Sequence, residues 1–87
     1  MDRREILQTA LETRNNSILM YQINIDNYTL ALEHMANMSQ ADREELAEYA
    51  QRIQNLLVTE RLEQKKEKVI RDVIAQQLAA MDQTPPA

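Results

Sequence analysis

Apolar residues return at every seventh position through the first half of the chain. Leu11, Ile18, Ile25 and Leu32 form one set; Leu7, Tyr21, Tyr28 and Met35 form a second, interrupted by Arg14. Two apolar positions per heptad mark the seam of a helix packed lengthwise on another helix. In the second half Leu46, Tyr49 or Ala50, Ile53, and Leu56 with Leu57 carry a similar stripe. The stripe then fades, because residues 60–68 are charged nearly all round, and returns at Val69, Ile70, Val73, Ile74, Leu78 and Met81. The pattern predicts an all-α fold: a helix over about 3–36, a turn at 37–39, and a helix over about 40–81, joined as an antiparallel helical hairpin within one domain, 1–82.

Local chemistry supports those limits. Ser39 followed by Asp42 resembles a capping box with Asp in place of Glu. Asp42, Glu44 and Glu45 are acids near a helix start, where the dipole favours them. Asn37 is expected to take the left-handed C-cap geometry in a chain without glycine. The tail 83–87 contains Pro85 and Pro86 and is expected to be disordered. Breaks at Asn15-Asn16-Ser17 or within 60–68 would instead let the ends fold back as a three- or four-helix monomer.

The hairpin leaves apolar side chains over. With a turn near residue 38, facing positions should total about 76. The charged stretch would then face Gln8 to Asn16, and the 69–81 face would meet only Met1 to Leu7 before running past the chain start. On the first helix, Leu19, Ile23 and Leu30 fall about 100–140° from the seam residue Ile18 at 100° per residue. The expected partner interface is therefore Leu19, Ile23, Leu30, Val69, Ile70, Val73, Ile74, Leu78 and Met81. Burying a Val, Leu or Ile side chain contributes ~1.5–3 kcal/mol, so these nine amount to ten kcal/mol or more, on the order of a domain's whole net stability. The expected occupant is a second copy or a heterologous helical protein, completing a four-helix bundle or coiled-coil assembly.

Composition narrows the chemistry. The 87 residues include no Gly, Cys, Trp or Phe, one His, and 14 Asp+Glu against 10 Lys+Arg, for a net charge of −4. Without Gly there is no glycine-rich phosphate loop. Without Cys there is no disulfide, zinc knuckle or thiol nucleophile. His34 has Leu30 and Met38 as its one-turn neighbours, which are neither ligands nor relay partners. Glu33 and His34 are adjacent, whereas a di-metal bundle site uses Glu-x-x-His. No catalytic residues, metal site, cofactor or small-molecule substrate is expected, and the chain is not expected to be an enzyme. Arg61, Lys65, Lys66 and Lys68 lie among Glu60, Glu63 and Glu67, a poor phosphate-binding face. A membrane-surface role for residues 69–81 lacks the basic polar face such helices use. No stretch is long and apolar enough for a membrane span, and the N-terminus has no apolar signal core, so a cytoplasmic location is expected.

Leu46-Ala47-Glu48-Tyr49, followed after eighteen residues by Lys68-Val69-Ile70-Arg71-Asp72-Val73, resembles the C-terminal helix of type III secretion needle subunits. The turn Asn37-Met38-Ser39-Gln40-Ala41 stands where needle subunits carry a Pro-x-x-Pro loop. In size and acidity the chain is also similar to the small helical-hairpin chaperones that hold those subunits monomeric. The resemblance implies a non-enzymatic chaperone or subunit of a type III secretion apparatus, with Val69, Ile70, Val73, Ile74 and Leu78 as contact residues. The residues themselves also fit a small accessory or phage-encoded protein that binds and inhibits a host protein. A nucleic-acid-associated regulator fits them less well.

Overall fold

The computed structural model describes residues 2–83. Three helices account for nearly all of them: α1 (Arg3–Ala36), α2 (Gln40–Glu45) and α3 (Ala47–Asp82). The long helices α1 and α3 pack against each other as an antiparallel hairpin, and α2 forms the corner between them. The rod is 72 Å long and 17 by 16 Å across, which leaves no room for a third layer of helix.

The starts of α1 and α2 are each capped by a side chain. The Asp2 carboxylate accepts a hydrogen bond from the Glu5 backbone N–H at 2.8 Å and caps α1. The Ser39 hydroxyl accepts from the Asp42 N–H at 3.2 Å and caps α2, as its place before the acids predicts. Ser39→Ala should remove about 1 kcal/mol of stability and lower Tm by about 4–8 °C, measurable by thermal denaturation. Ser39→Asp should retain most of that stability.

The turn differs from expectation in two respects. Asn37 ends α1 with φ −94° and ψ 2°, right-handed, with its N–H on the His34 carbonyl, and no described residue has positive φ. The three residues 37–39 span the gap, so no left-handed residue is required. The second helix is also interrupted. At Leu46 the backbone departs from helical values (φ −98°, ψ 7°) and α3 starts afresh without a side-chain cap. Residues 40–45 are thereby used in crossing from one helix to the other.

That crossing resets the register. Hydrogen-bonded pairs across the hairpin are Arg3 with Gln77, Arg14 with Glu67, Gln64 with Ile18 and Gln22, and Asn24 with Glu60, so facing numbers total 80–86. Arg4 pairs with Asp82, and the two long helices end level. The 69–81 segment therefore does not overhang the chain start, as a register of about 76 would require. The helices are continuous through Asn15-Asn16-Ser17 and through 60–68, so the hairpin is not broken further into a three- or four-helix fold-back among the described residues.

The core is one seam. On α1 it runs through Leu7, Leu11, Arg14, Ile18, Tyr21, Ile25, Tyr28, Leu32 and Met35, all buried or half-buried. On α3 it runs through Ala50, Ile53, Leu57, Glu60, Gln64, Glu67, Arg71, Ile74, Leu78 and Met81. Among the described residues the buried apolar ones are Ile25, Met35, Ile53, Leu57 and Ile74, and no side chain is fully enclosed. Of the two candidates at the start of the α3 stripe, Ala50 is the half-buried seam residue and Tyr49 is exposed.

Candidate interaction surface

The stretch 60–68 is charged along the sequence, yet one side of it enters the seam. The Arg14 guanidinium donates through Nη1 to both Glu67 carboxylate oxygens, at 3.3 and 3.0 Å. Gln64 is buried; its amide donates to the Ile18 carbonyl at 3.2 Å and to the Gln22 side chain at 2.9 Å. The Asn24 amide reaches Glu60 at 3.4 Å. Arg14 Nε is buried and has no hydrogen-bond partner among the described residues. These groups bind each other and set the register, since a polar seam residue is satisfied only opposite its partner.

With the seam filled, the unused apolar side chains become legible. Leu19, Ile23 and Leu30 are exposed on α1, with Met20 beside them. At 100° per residue they lie on the side opposite Ile18, Tyr21, Ile25 and Tyr28. On α3, Val58, Leu62, Val69 and Val73 form a second exposed line opposite Leu57, Glu60, Gln64 and Glu67, with Ile70 on its flank. Leu19, Leu30, Val58 and Val69 are each 58–65% exposed. Two apolar ridges thus run along opposite edges of the rod.

This places the nine expected interface residues in two groups. Leu19, Ile23, Leu30, Val69, Ile70 and Val73 are on the surface. Ile74 is buried, and Leu78 and Met81 are half-buried on the seam side of α3, where the reset register gives them the first turns of α1 as partner. Sequence reasoning missed Val58 and Leu62. Their signal is present: with Val69 and Val73 they repeat at four, seven and four residues, but charged neighbours hide the repeat.

Elsewhere the surface offers little chemistry. An open cleft of ≈ 260 Å³ lies at the hairpin tip, lined by Leu32, Met35, Ala36, Leu46 and Ala50 with Arg43 and Gln54. It is smaller than a usual ligand pocket of about 300–1,000 Å³ and contains no acid, base or nucleophile beyond the Arg43 cation. His34 is exposed at the end of α1. Among the described residues no three His, Cys, Asp or Glu side chains come together as a metal site, and no helix is long and apolar enough to cross a membrane. No family model, curated protein or solved structure matches the chain.

Proposed function

We propose that this chain is a non-enzymatic protein–protein interaction module: a helical hairpin that presents two apolar ridges to other helices. The supporting observation is the position of those ridges. Large apolar side chains scattered singly over a surface need no explanation. Here seven of them, Leu19, Ile23, Leu30, Val58, Leu62, Val69 and Val73, line up at helical spacing on the two sides that face away from the seam. A helix with apolar residues on two opposite sides has one side more than a hairpin can cover. Helices that bury such ridges against one another are the ordinary route to bundles and coiled coils.

A secretion-apparatus chaperone or subunit is the sharpest form of this reading. Of the residues carrying that likeness, Val69, Ile70 and Val73 are exposed and available to a partner. Photo-crosslinking in producing cells tests the general reading. A photoreactive residue replacing Val69 or Ile23 should give discrete protein adducts. The same residue replacing Thr13, exposed on the flank of α1, should give few or none. Adducts at multiples of the 10.2 kDa chain mass identify other copies, and other masses identify a different protein. Absence of adducts at both ridge positions overturns the reading.

A further inference from the structure

The two ridges match each other. On α1 the spacing from Leu30 back to Ile23 and Leu19 is seven and then four residues; on α3 the spacing from Leu62 to Val69 and Val73 is also seven and then four. The exposed charges in the two seven-residue gaps are opposite in sign, while Glu63 and Glu67 of the α3 gap are half-buried. The α1 gap holds exposed Asp26, and the α3 gap holds exposed Lys65 and Lys66.

The wider surroundings follow the same division. Between Arg14 and Arg43 the chain has no Lys or Arg, while Asp26 and Glu33 are exposed there. Five of the ten Lys and Arg residues lie at 61–71 on α3. Asp26 accepts only from Gln22, one turn away, at 2.9 Å, and Lys66 donates to Glu63 on its own helix at 2.9 Å. Both contacts are exposed and local, and such contacts exchange readily.

We propose that the partner is a second copy of this chain, and that the α1 ridge of one copy seats antiparallel on the α3 ridge of the next. This rests on the interaction-module reading and names its partner. Leu30 faces Leu62, Ile23 faces Val69, Leu19 faces Val73, and Asp26 falls at Lys65 and Lys66. The parallel arrangement of the same ridges keeps Asp26 at Lys65 but sets Glu33 against Asp72, so it is this like-charge pair that favours the antiparallel one. An α1-to-α1 contact would bring Asp26 and Glu33 to a face of the same sign.

The ridges occupy opposite edges, so the contact is heterologous: each copy uses one ridge on each neighbour and leaves an unmatched ridge at each end of the row. Every interhelical contact in the row is antiparallel. Facing numbers total about 92 between copies against 80–86 within one, so successive copies are offset by about nine residues, or about 14 Å along the axis. Growth is therefore open, unless the rotation between neighbours closes a ring.

Sedimentation velocity over a range of concentrations tests this on the full chain. The wild type should grow past dimer as concentration rises. Asp26→Lys, and separately Lys65→Glu with Lys66→Glu, should each weaken self-association about tenfold or more while leaving the far-UV circular dichroism and Tm of the dilute chain unchanged. An equimolar mixture of the two variants should regain association, since each supplies the charge the other has reversed. Asp26→Asn should weaken association less than Asp26→Lys. A wild type that stays monomeric, growth that stops at dimer, or a mixture that fails to recover overturns the proposal. If cross-linking at Val69 still gives adducts of other masses, the surface binds a different protein and only the self-pairing is wrong. If neither Val69 nor Ile23 gives adducts, the interaction reading fails with it.

Discussion

Replacing Ile53 with alanine should remove most of the hairpin's stability at 25 °C. Ile53 is the most buried apolar residue, at 5% exposure, and faces the Tyr28–Leu32 stretch of α1 in the observed register. Truncating a buried Ile to Ala costs about 2–5 kcal/mol, part from lost transfer energy and part from the cavity left behind. The seam contains only five buried apolar side chains and none fully enclosed, so neighbours can relax and the lower half of that range applies. Even so, a loss of about 2–3 kcal/mol is most of the ~3–5 kcal/mol that a single core of this size supplies. Val58→Ala, at 65% exposure, is the control and should change stability by about 0.5 kcal/mol or less. Urea denaturation of dilute protein followed by circular dichroism separates the two. Equal losses at both positions would mean that the ridges, and not the seam, hold the molecule together.

The opposite sign is expected at the polar centre of the seam. Arg14→Leu combined with Glu67→Leu should stabilise the hairpin by about 1–2 kcal/mol. The Arg14 and Glu67 side chains remain 39% and 21% exposed, so their attraction is weakened by water, and Arg14 Nε is buried without a partner. Two leucines would extend the apolar seam between Leu11 and Ile18. Glu67→Ala alone should destabilise by about 1–2 kcal/mol, since it leaves the guanidinium half-buried and unanswered. A double-mutant cycle in urea measures the coupling directly. The Leu pair should also loosen register, visible as doubled backbone amide resonances, because an apolar seam position accepts any neighbour and an ion pair accepts one. A double variant less stable than wild type would make the ion pair a net source of stability.

The polar centre also shows why part of the fold was hard to read. Arg14 looks like an interruption of a heptad, and Glu60, Gln64 and Glu67 look like solvent-facing charge, because hydrophobicity is the signal a periodicity search follows. Counted by position, all four continue the seam. The same limit applied to the ridges. Leu19, Ile23 and Leu30 stand out in an uncharged segment, whereas Val58 and Leu62 sit among charged residues and escape notice. Ile74, Leu78 and Met81 look free in the sequence because a register of about 76 leaves them without a partner.

Residue order dictated the helices, their start at Asp2 and Ser39, and the seam of α1, because capping and the heptad repeat are local properties of a few neighbouring side chains. Which part of the apolar surplus is buried was decided by the folded hairpin. Six residues of α2 and the break at Leu46 moved the facing numbers from about 76 to 80–86 and brought 69–81 level with the first turns of α1. Periodicity tells which side of a helix packs, but how far one helix slides along the other depends on the path of the corner and on where Arg14 meets Glu67. Both of these bring together residues far apart in the chain, so no window of sequence contains them.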